Sequence, residues 1–146
     1  MKKILLATAI LLSVSFATIA NTHKSADPKA IAAFKKDFSG ANDVSWEASA
    51  DFSKVTFTIN GSTLFAYYSN KGDLIAASRN IRSSQLPLTL FTALKSDYSS
   101  YWISDLFELS RDNTSTYYVT LENADEKKIL SSTSWGWETY SSTIKE

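Results

Sequence analysis

The chain has 146 residues, and 15 basic and 15 acidic side chains balance to a formal charge of zero. It contains no Cys, which excludes a thiol nucleophile, a thiolate metal site and a disulfide framework. One His and four Gly argue against His-based catalysis and phosphate-cradling loops, and the balanced charge argues against a nucleic-acid surface.

Met1-Lys2-Lys3 is a short basic start, followed by Ile4–Ile19, apolar except for small Ser and Thr residues. Thr18-Ile19-Ala20 places small residues where a signal peptidase reads, so residues 1–20 read as a secretory signal peptide cleaved after Ala20. The strongly apolar part is too short for a membrane span, and no later run is long enough. No Cys stands at the cleavage site to carry a lipid, so no membrane anchor is expected after cleavage. The expected location is the periplasm, or outside the cell. Loss of Lys2 and Lys3 turns the balance slightly acidic, against an anionic membrane surface as partner. Asn21–Ala26 reads as a flexible leader, with His23 a solvated side chain in it.

Residues 27–146 read as a single α+β domain. Asp27-Pro28 opens a helix, because Asp caps free N–H groups and Pro is tolerated at the first helical position. Ile31, Phe34 and Phe38 form its apolar stripe, and Ser39-Gly40 ends it, with Gly40 in a left-handed cap. Val44-Ser45-Trp46 begins a short strand and Ser49–Phe52 a turn. Val55–Tyr68, VTFTINGSTLFAYY, is two alternating runs joined by Asn60-Gly61, a strong hairpin signal. A two-residue loop there sets Ile59 against Ser62, Phe57 against Leu64 and Val55 against Ala66, with Tyr68 continuing that row. This is the face the helix should cover. Lys54, Thr56, Thr58, Thr63, Phe65 and Tyr67 take the other face.

Ser69–Asp73 is a further turn and Leu74–Ser78 a fourth strand. Ile81–Gln85 is a polar connector. Leu86-Pro87 opens a second helix with Leu90, Phe91, Leu94 and Tyr98 as its stripe. Strands follow at Ile103–Ser110, Thr116–Leu121 and Lys128–Ser132, separated by turns at Asp112-Asn113-Thr114 and Asn123–Glu126. Tyr117, Val119 and Leu121 share one face, and Tyr118 takes the other. The aromatic end, Ser134–Tyr140, is a candidate for one more strand.

The two halves echo each other. AFKKDF at Ala33–Phe38 matches ALKSDY at Ala93–Tyr98, and KVTFTI at Lys54–Ile59 fits TYYVTL at Thr116–Leu121, with Gly61 falling on Asn123, turn on turn. The expectation is a tandem repeat of one helix packed on an antiparallel β-meander, about 27–80 and 84–140.

Phe34 and Phe38, Val44-x-Trp46, the Asn60-Gly61 hairpin, Tyr67-Tyr68 with Gly72, Leu86-Pro87, Tyr98 and Tyr117-Tyr118-Val119 together form a pattern that resembles the PepSY-like, β-lactamase-inhibitor-like family of exported bacterial proteins. The resemblance runs from Phe34 to about Leu130. It implies a tandem helix-plus-sheet fold in the envelope, with no known catalytic residues. The inhibitor that gives the family its description relies on disulfides. This chain has none, which weakens transfer of inhibitory activity.

No catalytic constellation stands out. There is no Gly-x-Ser-x-Gly elbow and no dinucleotide fingerprint, and the lone His lies in the leader. Asp105 and Glu108 point to opposite sides of a strand, and Asp125-Glu126 lacks the oxygen ligands of a calcium loop. Neither catalysis nor a cofactor or metal is expected. Aromatic surface remains: Phe65, Tyr67 and Tyr118 opposite the helices, with Trp135 and Trp137 joining at the edge, as binding residues. A partly covered sheet face accounts for the same aromatics without function. On the binding reading, Phe65→Ala with Tyr67→Ala abolishes partner capture and leaves the melting temperature nearly unchanged. The expected function is a non-catalytic binding or inhibitor-like module engaging another envelope protein. The alternative is a carrier of a small apolar ligand held between sheet and helices.

Overall fold

The computed structural model describes residues 25–133 and 135–145. The signal peptide reading and His23 lie outside the described residues. Of the leader, Ser25 and Ala26 are described: Ser25 is exposed, and Ala26 is a core residue rather than a loose one.

Helix α1 (Pro28–Asp37) is followed by strands β1 (Asn42–Ala48), β2 (Phe52–Ile59), β3 (Ser62–Ser69) and β4 (Leu74–Asn80). A 3-10 turn at Ser83–Gln85 leads to helix α2 (Leu88–Asp97) and strands β5 (Trp102–Arg111), β6 (Thr114–Glu122), β7 (Glu126–Ser132) and β8 (Trp137–Ile144). The eight strands among the described residues form one antiparallel sheet in chain order. The fold is mixed α+β, with both helices on one face.

Asp27 caps α1 by accepting the Lys29 N–H at 2.8 Å, with Pro28 in the first turn. The β2–β3 register pairs Ile59 with Ser62, Phe57 with Leu64 and Val55 with Ala66. Asn60 (φ +51°) and Gly61 (φ +75°) both take the left-handed conformation that a twisted two-residue hairpin turn needs. A register slip of one residue would turn Phe57 to the wrong face, so this turn aligns the core of the first half. Asp112 (φ +50°) and Asn113 (φ +59°) do the same between β5 and β6.

Two expectations for α1 fail. Gly40 does not take a left-handed cap; Phe38 closes the helix, its N–H donating to the Phe34 carbonyl at 2.8 Å. Phe38 stays at the helix end because its ring packs 4.7 Å from that of Phe57. The buried positions of the helix are Ala30 and Phe34, not Ile31, because a small Ala lets the helix approach the sheet. Beneath α1, Phe34 packs edge-on to Trp46 at 5.4 Å and to Phe57 at 5.0 Å, over Val55, Ala66 and Tyr68. Beneath α2, Leu86 and Leu94 cover Leu106, Val119, Leu121 and Leu130.

The two sets of four strands do not stand apart. Ala77–Asn80 of β4 pair with Phe107–Ser110 of β5, so the sheet runs unbroken through its middle.

Candidate functional site

The sheet face opposite the helices carries a third apolar cluster: Tyr67, Ala76, Leu109 and Tyr118, flanked by Phe52, Phe65, Ile75 and Phe107. Strand alternation builds it. Tyr67 pairs with Ala76, Phe65 with Ser78, Ser78 with Leu109 and Phe107 with Tyr118, so β3 to β6 each contribute to one continuous patch across the β4–β5 join. Phe65, Tyr67 and Tyr118 are thus brought together on the face expected for them.

Their exposure differs from the expectation. Tyr67 is 4 % exposed and Tyr118 8 %, although among the described residues no helix covers this face. Neighbouring rings close over them: Phe52 meets Tyr67 at 6.0 Å, and Tyr118 lies between Phe107, stacked at 5.2 Å, and Tyr140, edge-on at 5.9 Å. Burial pushes both phenols up from the usual tyrosine range; at Tyr67 the neighbouring Ser78 side chain pulls the other way. Phe65, Phe52 and Phe107 are half-buried and form the accessible part of the patch. Lys54 sits 5.2 Å above the Phe65 ring and pairs with Glu47 at 3.6 Å, so a polar rim borders the aromatic centre.

Trp135 and Trp137 do not join this patch. Trp137 lies on the helix side, where it packs against the core under α2 and donates its indole N–H to the Leu90 carbonyl at 2.9 Å. Its pairing with Ser132 sets the parity of β8 and turns the ring toward the helix. Trp135 precedes β8 and is 96 % exposed, beside Asp97 and Tyr98 at the end of α2. Phe52, Ile75, Phe107, Leu109 and Tyr140 belong to the patch but were not singled out by sequence. The Asp112-Asn113 turn held the signal: read as a two-residue loop, it sets Phe107 against Tyr118 and Leu109 against Thr116.

On the helix side, a hollow of about 320 Å³ lies where neither helix covers the sheet, lined by Leu64, Ala77, Arg79, Glu108 and Ser115. Arg79 holds Glu108 with contacts of 2.8 and 2.9 Å, and Ser115 donates to its other oxygen at 2.7 Å. This pair is internally neutralised. A second network joins the Tyr101 hydroxyl, the Glu126 carboxylate and Lys128, whose ammonium is 3.0 Å from Glu126. The hydrogen bond from Tyr101 and the contact with Lys128 lower the Glu126 pKa. Glu126 in turn raises the pKa of Lys128 and of the Tyr101 phenol. Each of these groups is driven further from neutrality, the opposite of what proton transfer near pH 7 asks of an acid or base.

No protein-family model matches this chain, and no curated protein matches its sequence. Its fold is similar to several solved structures. A DUF2874 family protein from Bacteroides uniformis is 18 % identical, with a TM-score of 0.72 over 82 % of this chain and 90 % of that one. A BLIP-like protein from Bacteroides fragilis is 18 % identical, with a TM-score of 0.71 over 84 % and 89 %. A protein from Bacteroides eggerthii, provisionally described as periplasmic, is 14 % identical, with a TM-score of 0.72 over 82 % and 89 %. At these identities the likeness is one of fold. Among the described residues no helix is long and apolar enough to cross a membrane.

Proposed function

We propose that this chain is an exported, non-catalytic module of the bacterial periplasm that engages another envelope protein through the helix-free sheet face around Phe65. The observation that carries this reading is the cluster of Phe65, Tyr67, Phe107 and Tyr118, an aromatic patch that no helix of the described chain covers. Half-buried rings over a packed aromatic floor, with a charged rim, are the make-up of an interface centre. The fold shared with a BLIP-like and a periplasmic protein supports an inhibitor-like module in the envelope. The Lys2-Lys3 start and the apolar run after it support export. We read the chain as a PepSY-like domain of two copies of one unit, a helix followed by four strands, and the element order supports that reading.

Site-specific photo-cross-linking in the native envelope tests the interface. A benzophenone side chain in place of Phe65 or Tyr140 should yield an adduct with the same envelope protein. One in place of Leu88, which is exposed on α2, should not. Equal adducts from all three positions, or none from positions 65 and 140, would exclude this face as the interface.

A further inference from the structure

The two helices cover the sheet unequally. Beneath α1 the space is filled by rings: Phe34, Phe38, Trp46, Phe57 and Tyr68, with centroids 4.7 to 6.4 Å apart. Beneath α2 the corresponding layer is made largely of Leu, and a cleft of about 350 Å³ remains between α2 and β5–β6. Buried Leu94 and Leu121 line its inner part; Phe91, Tyr98, Tyr101 and Ile103 form its walls. Ile103 is 42 % exposed on this cleft, an apolar side chain left half uncovered beside buried neighbours.

The charge of the lining is one-sided. Among the described residues, Lys95 is the only ionic side chain that lines it and no carboxylate does. Lys95 makes no ion pair among the described residues; its ammonium rests 5.4 Å above the Phe91 ring. The nearby Lys128 is already paired with Glu126 at 3.0 Å. An apolar cleft with one uncompensated cation at its edge complements an apolar body carrying a single negative charge. Its volume holds about a dozen water-sized groups, the size of a medium-chain acid rather than of a long lipid.

We infer that the cleft between α2 and β5–β6 is a binding site for a small amphiphilic monocarboxylate, its chain lying against Leu94, Ile103 and Leu121 and its carboxylate at Lys95.

Titration calorimetry with octanoate, octan-1-ol and octylammonium tests it on the purified protein. Octanoate should bind and octylammonium should not. Lys95→Met keeps the apolar stem and should weaken octanoate about fivefold at low salt, with octan-1-ol unaffected. Ile103→Trp should block both octanoate and octan-1-ol, with an unchanged circular dichroism spectrum showing that the fold persists. Should that variant misfold, the Lys95→Met comparison decides alone. Failure of millimolar octanoate to bind, octylammonium binding as tightly, or octanoate affinity indifferent to Lys95→Met would overturn the assignment.

Discussion

The Tyr68 hydroxyl donates to the Asp37 carboxylate at 2.9 Å, tying the buried end of β3 to the last residue of α1. The ring is fully buried and the carboxylate lies at the surface. Tyr68→Phe keeps the packing and loses the bond, and since Asp37 can turn to water the cost should be about 1 kcal/mol by urea denaturation. Burial, and then the bond and charge of Asp37, push the phenol well above its usual range. The unfolded chain ionises Tyr68 near pH 10 or so while the folded chain keeps it protonated. This contribution is complete below the unfolded value and is lost as pH rises beyond it. Melting temperatures from pH 9 to 12 or so should therefore fall less steeply in Tyr68→Phe than in the parent.

Gly72 answers to a backbone rather than to a side chain. A Cβ there would stand 2.9 Å from the Lys29 carbonyl oxygen, and its φ of +90° is one that L residues rarely adopt. The turn between β3 and β4 thus abuts the first turn of α1. Gly72→Ala should cost about 2–3 kcal/mol, combining backbone strain with displacement of the helix start. Denaturant midpoints at an unchanged m-value would measure it; a loss below roughly 0.5 kcal/mol would mean the contact is easily relieved.

The burial of Tyr67 reverses one sequence expectation. Tyr67→Ala removes a ring that is 4 % exposed, and should cost about 3–4 kcal/mol. The Phe65→Ala, Tyr67→Ala pair therefore lowers the melting temperature instead of leaving it unchanged. It cannot serve as a surface probe. Phe65→Ser alone, at a half-buried ring, should cost about 1 kcal/mol. Thermal melts of the two single variants would separate floor from rim.

Acid should loosen the outer strands first. Lys145 bonds Glu122 at 2.8 Å, and Ser142 donates to Glu126 at 3.2 Å, so two carboxylates fasten β8 and the residue after it to the sheet. Lys145 lowers the Glu122 pKa, and Tyr101 with Lys128 lowers that of Glu126. Both contributions are present above the unfolded carboxylate range and vanish as pH falls through the lowered folded values. Protection of β8 amides from exchange, relative to their intrinsic rates, should fall below about pH 4 before that of β2 and β3. Glu126→Gln with Glu122→Gln should remove the pH dependence. Uniform loss of protection across all strands would contradict it.

Local chemistry was legible where a short stretch decides the outcome. Asp27-Pro28 starts a helix because a carboxylate can accept orphan N–H groups, and Asn60-Gly61 makes a hairpin because its residues tolerate positive φ. From that turn the period of two assigns Phe57 and Phe65 to opposite faces with no knowledge of the rest. Residues brought together from distant strands were not legible. Sequence placed Phe65, Tyr67 and Tyr118 on the outer side, but not whether they touch. That depended on β4 pairing with β5, which carries the patch across both halves of the chain, while Phe52 closes over Tyr67 within the first half and Phe107 and Tyr140 over Tyr118 within the second. Trp137 went to the helix side because the pairing of β8 fixes its parity, and nothing near it in sequence signals Leu90 as its partner. The cleft under α2 has the same origin: alternation tells which side chains point inward, whereas the space left between them depends on how those of separate elements fill a shared volume.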